Sequence, residues 1–158
     1  GYEKAVEWNG LIGAFGFIVT FSIAFYLAKL AKKHGAKMIH FACLLFGAIS
    51  FLWFPTIQNQ YVFFAVIIGY GIAWASMMGI PYLMVVAVVP KERYGVYMGI
   101  INMMIVIPMI IQNLSFGYIL KNFLDNDPRQ AISFAGVLLM LAAICTLLIK
   151  IKNTKLSE

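Results

Sequence analysis

The side chains of this sequence that could do chemistry are few, and most are uncharged. Asn102, Gln112, Asn113 and Ser115 stand inside one long apolar stretch. On a helix, Asn102, Met109, Asn113 and Phe116 fall on one stripe, with Gln112 at its edge. Amides in apolar surroundings are expensive unless hydrogen-bonded. They serve either as glue between helices or as the lining of a wet cavity that holds a hydroxylated substrate. Trp74 lies mid-way along another apolar stretch, with Tyr70 and Met78 a turn to either side and Pro81 and Tyr82 a turn further on. A Trp so far from either end is not an interfacial anchor. It either stacks on a sugar ring or fills a core with its indole N–H on a partner.

Enzyme chemistry is absent. His34 and His40 flank a basic segment, and neither belongs to a set of metal-ligating residues, since Cys43, three residues beyond His40, stands alone. Both read as surface or interfacial histidines. Cys43 and Cys145 sit in separate apolar stretches and read as small hydrophobes, with no disulfide expected. No phosphate-cradling glycine loop, nucleophile elbow or pair of carboxylates occurs, and no cofactor is implied. No Asp, Glu, Lys or Arg lies well inside an apolar stretch. Any group that titrates to couple an ion is therefore expected outside these residues.

The elements that must position the amides and the Trp follow from composition. The 158 residues include twelve Lys and Arg and six Asp and Glu, 11% charged, against 63% hydrophobic. An ordinary soluble domain carries about 25% charge, so lipid is the solvent here. A bilayer core needs about 20 apolar residues per helix. Five stretches qualify: 8–27, 38–54, 61–89, 95–120 and 131–151. None alternates apolar and polar as a barrel strand does. The expected fold is an all-α membrane protein, a single transmembrane helical domain over 1–158. Pro81 and Pro108 are candidate hinges where the third and fourth spans break. Spans two and five are almost wholly apolar and are expected to face lipid.

The charges sort by loop. Segment 29–37, turn 90–94 and the tail after Ile149 hold nine of the twelve basic residues, while the other side holds Lys4, Lys121 and Arg129. Cytoplasmic loops carry such an excess, which places the C-terminus inside and the N-terminus outside. The net charge of +6 thus reads as a topology signal and needs no nucleic acid. With an outside start at Gly1 and no basic leader, the chain is expected to be a fragment that lacks one or more preceding spans.

Small residues suggest where helices meet. Gly71, Ala75 and Gly79 recur every fourth residue, with Gly69 and Ala73 beside them, and read as packing positions. Gly10, Gly13 and Gly16 read the same way, while Asn9, Thr20 and Ser22 are weaker polar candidates.

The run Gly71-Ile72-Ala73-Trp74-Ala75-Ser76, then Ile80-Pro81-Tyr82, a Pro90-Lys91-Glu92-Arg93 turn, Gly95-Val96-Tyr97-Met98-Gly99-Ile100, Asn102 and Ile105-Val106-Ile107-Pro108 resembles the major facilitator superfamily. More closely it is similar to sucrose/maltose-type sugar:proton symporters, relatives of the glycoside–pentoside–hexuronide:cation symporters. Segment Lys32-Lys33-His34-Gly35-Ala36-Lys37 keeps the glycine and bases of the superfamily's cytoplasmic loop motif, with Lys32 where its acid would lie. Met109 follows Pro108 where the family often has Gln.

The resemblance implies that the five spans are helices eight to twelve of a twelve-helix carrier, whose N-terminal half would be the partner of this part. It implies a secondary active transporter in a bacterial inner membrane that moves a sugar, a disaccharide by preference, with a coupling proton or cation. Spans one, three and four would line the path. Trp74 would stack on a ring; Asn102, Gln112 and Asn113 would bond hydroxyls. Lys32, Lys33, Gly35 and Lys37 would act in orientation and loop contacts. Two rivals stand beside this reading: a facilitator carrier of a drug, nucleoside or peptide, and a non-transporting membrane scaffold or sensor.

Overall fold

The computed structural model describes residues 2–150. Gly1, Lys152 and Lys155, which bear on the fragment and charge readings, lie outside them, as does the last residue of the expected fifth span. The described chain is five helices, α1 (Tyr2–His34), α2 (Ala36–Trp53), α3 (Phe63–Val86), α4 (Tyr94–Phe123) and α5 (Pro128–Leu148), joined by short turns. Each belongs to a segment long and apolar enough to cross a membrane. No strand occurs among the described residues.

The helices run further than the apolar stretches alone suggest. Segment 29–37, expected as a loop, is helical except at Gly35. Lys32, Lys33 and His34 occupy the last turn of α1, where positive charge offsets the helix dipole. Gly35 then turns the chain at φ 91°, a conformation that only glycine adopts without strain. Pro81 and Pro108 end neither α3 nor α4, and both helices continue through the expected breaks. A proline deletes one backbone bond, and a membrane helix tolerates that.

Turn chemistry accounts for the connections. A single 3₁₀ turn (Lys91–Arg93) follows Pro90, and Tyr94 Oη donates to the Val86 carbonyl at 3.2 Å, tying the α3–α4 turn together. After α4, Asp125 and Asn126 take φ of 47° and 57°, which these two residue types tolerate. The Asn126 N–H then reaches the Leu120 carbonyl at 2.9 Å and satisfies the end of α4. The Asp127 carboxylate accepts the Arg129 N–H at 2.8 Å, capping α5 at a proline-led first turn.

Packing centres on α2 and α3. α3 lies against both α1 and α2, α2 also holds α5, and α1 and α2 touch each other much less. α2 thus corrects the expectation of a lipid-facing span: Cys43, Leu44, Gly47, Ala48 and Ser50 are all buried. Uniform apolarity suits a protein neighbour as well as lipid, so hydropathy could not separate the two. Small residues let the backbones approach. A Cβ placed on Gly47 would stand 2.5 Å from Ala73 Cβ, and one on Gly69 would collide with Ser50 Oγ. On the α1 side, a Cβ on Gly71 would lie 2.9 Å from Val19 Cγ1 and 3.2 Å from the Gly16 carbonyl. Thr20 Oγ1 donates to the Gly16 carbonyl at 2.9 Å and lies 3.3 Å from that of Gly71. Gly79 differs: it is exposed, with open space where a Cβ would go. α4 is the least buried helix, packs chiefly on α3, and buries only Ile101.

Candidate functional site

The aromatic face of α3 is built by helical spacing. Tyr70 and Trp74 are four residues apart, so one ring lies above the other. Their centroids are 5.8 Å apart at an interplanar angle of 24°, and Phe51 of α2 stacks on the far side of Tyr70 at 5.7 Å and 13°. The result is a three-ring column across α2 and α3. Trp74 ends it and remains 37% exposed.

Two turns further along α3, about 12 Å by helical rise, Tyr82 Oη meets Asn102 Oδ1 of α4 at 2.6 Å. This bond joins α3 and α4 along their length, as Tyr94 and Val86 join them at the turn. Tyr82 was on the expected aromatic face without an assigned role, and only the structure supplies its partner. Pro81, beside it, is half-buried. A proline cannot donate a backbone bond there, so the helix relies on its neighbours at this point.

Gln112 and Asn113 lie ten and eleven residues beyond Asn102 on α4, and both are exposed, as is Pro108 between them. At 1.5 Å per residue the separation is about 15 Å. The described residues therefore bring Tyr70 to Trp74 and Asn102 to Tyr82, and leave Gln112 and Asn113 apart from both. Ser115 Oγ turns back to the Ile111 carbonyl at 2.7 Å. Gly71 and Ala75 are buried between helices, apart from the exposed amides.

The basic end of the bundle carries Lys29, Lys32 and Lys33 exposed on α1. Lys37 is partly buried, and its Nζ donates to the Ile149 carbonyl at 2.8 Å, which satisfies the C-terminal end of α5. Gly35 makes the turn between them.

A buried polar cluster escaped the sequence reading. His40, expected at a surface, is only 8% exposed inside α2, and its Nδ1 lies 2.7 Å from Ser76 Oγ, which is fully buried on α3. Cys43, one turn beyond His40 on α2, is buried as well. The available signal was position: Ser76 follows Gly69 and Ala73 on the stripe that α2 covers, and His40 and Cys43 share one face of α2. Cys43 and Cys145 are both free thiols. Among the described residues no cluster of His, Cys, Asp or Glu is suited to a metal ion.

Long apolar helices joined by short turns, with an amide and a tyrosine pairing between two of them, define an integral membrane protein of the polytopic helical class. Within that class, residues 1–113 match the family model of the Major Facilitator Superfamily, and the chain belongs to it. Members of this superfamily are transporters. No curated protein and no solved structure matches the chain.

Proposed function

We propose that the chain is the C-terminal part of a secondary active sugar carrier that works by alternating access. The observation that carries this reading is the set of polar groups on α4. Asn102 pairs with Tyr82 at 2.6 Å, while Gln112 and Asn113 stand exposed in a stretch of α4, residues 98–114, that is otherwise apolar. Amides left to hydrocarbon are costly, and a water-filled path with a polyhydroxylated solute satisfies them. In this reading the exposed Trp74 stacks on a sugar ring, since a flat indole meets the C–H face of a pyranose while hydroxyls point to amides.

The five helices then correspond to helices eight to twelve, with the N-terminal half as the other wall of the path. The basic end, with Lys29, Lys32, Lys33, Lys37, Lys91 and Arg93, faces the cytoplasm of a bacterial inner membrane, and the C-terminus lies on that side. Coupling to a proton or cation uses groups in the other half, since α1 to α5 carry no acid or Lys/Arg deep in a span.

The test is uptake by the full-length protein in proteoliposomes. A pH gradient, acid outside, is expected to drive accumulation of a radiolabelled disaccharide above equilibrium. If no disaccharide accumulates under a proton or sodium gradient, the sugar reading fails. Accumulation of a nucleoside or peptide instead places the protein in another branch of the superfamily.

A further inference from the structure

Tyr82 and Asn102 each use only part of their hydrogen-bonding capacity on each other. Tyr82 Oη donates its single proton to Asn102 Oδ1 at 2.6 Å. The phenol oxygen then has only lone pairs to offer, while Asn102 Nδ2 keeps its protons. Turning the amide over exchanges these roles and leaves the same sum, an acceptor beside a donor.

The helices leave room beside the pair. Gly79 stands three residues before Tyr82 and Gly99 three before Asn102, on the same helical face in each case. Both glycines are exposed, and a Cβ on either would meet open space. Asn102 is itself exposed and Tyr82 half-buried. No Asp, Glu, Lys or Arg occurs in 63–86 or 94–120. The pair is therefore neutral, reachable, and able to donate and accept at adjacent atoms. A hydroxyl is the group that does both in return. An ether or ester oxygen only accepts, and a carboxylate would find no opposite charge. Trp74 decides which hydroxyl. It lies about 12 Å from Tyr82 along α3, with the exposed Met78 between them. A ring stacked on Trp74 leaves the pair to the next ring of a linked solute.

We propose that Tyr82 is a specificity-determining residue of the carrier: with Asn102 it reads one hydroxyl on the sugar ring that does not stack on Trp74. This deepens the sugar reading above and rests on it. The hydroxyl donates to the Tyr82 oxygen and accepts from the Asn102 amide. The 2.6 Å bond between the two side chains holds both atoms in place before the solute arrives.

Uptake of radiolabelled disaccharides, maltose and sucrose first, by the full-length protein in proteoliposomes tests this, with monodeoxy derivatives of the accumulated sugar as competitors. In the parent, removing the hydroxyl that the pair reads is expected to weaken competition about tenfold. Tyr82→Phe is expected to raise KM about three- to tenfold and to shrink the penalty at that one position. In Tyr82→Phe/Asn102→Leu the deoxy derivative and the intact sugar are expected to compete equally, while penalties on the ring at Trp74 remain. A pair that only joins α3 to α4 would change stability or rate and leave the pattern of penalties as it was, so an unchanged pattern overturns the proposal. A pattern flattened on both rings overturns it too. Tyr82→Phe keeps the ring and its volume, and it carries the test alone if the double variant does not reach the membrane. If no disaccharide accumulates, the sugar reading falls and this inference with it. Accumulation with an unchanged pattern removes only the role of Tyr82.

Discussion

Gly47→Ala is expected to loosen the central α2–α3 contact. The added Cβ would stand 2.5 Å from Ala73 Cβ and 3.4 Å from the Gly69 carbonyl. Carbon atoms in contact prefer about 3.5–4.0 Å, so the two helices must part by about 1 Å at this point. That movement also weakens the neighbouring Gly69–Ser50 and His40–Ser76 approaches, which share the same face. Overpacking of this kind costs about 1–3 kcal/mol. Replacing a helical glycine by alanine returns up to about 1 kcal/mol through backbone propensity, so a net loss of up to about 2 kcal/mol remains. The same substitution at Gly79, where a Cβ meets open space, is expected to be neutral or slightly stabilising. Thermal unfolding of the full-length protein in detergent, followed by a thiol-independent probe, reads both. Ala73→Gly supplies the decisive control: it removes the atom in the way, so the double variant Gly47→Ala/Ala73→Gly is expected to unfold later than Gly47→Ala alone. A Gly47→Ala protein as stable as Gly79→Ala, or a double variant no better than the single, would refute backbone proximity as the basis of this interface.

The remaining expectations concern polar pairs. Tyr82→Phe and Asn102→Leu each break the 2.6 Å bond between α3 and α4, and a double-mutant cycle on unfolding should show a coupling of about 0.5–1.5 kcal/mol; strictly additive effects count against a formed bond. Ser76→Ala leaves the buried His40 ring without its partner at 2.7 Å, which should cost about 1–3 kcal/mol, measured as a lower unfolding temperature, and replacing His40 by Leu in that background should recover part of it. Asn113→Ala and Gln112→Ala alter exposed side chains. A transporter predicts uptake reduced about tenfold or more, the worth of a lost hydroxyl contact, with unchanged membrane abundance; a scaffold predicts no change in uptake of any solute.

How much of this could be read from the sequence depends on which physical effect set each feature. Five spans were legible because lipid imposes a length on every crossing helix. Helix ends were less so. Segment 29–37 is charged, yet Lys29 to His34 continue α1, since lysine is a good helix former and its charge suits a helix C-terminus. Gly71 and Ala75 announced close packing by their spacing, but Gly79, on the same four-residue period, lies in the open. Small residues permit an approach, and only the position of the neighbouring helix decides whether one occurs.

The same limit explains the candidate site. Asn102 was identifiable as an amide in need of a partner, and the sequence offered no means of choosing between Tyr82, a solute hydroxyl and water. His40 was hidden for the opposite reason. Its neighbourhood in sequence is basic, whereas its partner in space is the buried Ser76 of α3. Apolarity told that α2 and α4 both avoid water. It did not tell that α2 packs closely on α3 and α5 while α4 stands almost bare. For a membrane helix the informative residues are therefore the few that lipid does not suit. On α2, His40 and Ser50 point at α3 and are buried. On α4, Gln112 and Asn113 are exposed. A polar group satisfied by its own chain marks a helix contact, and one left exposed along a span marks a surface that something other than hydrocarbon must cover.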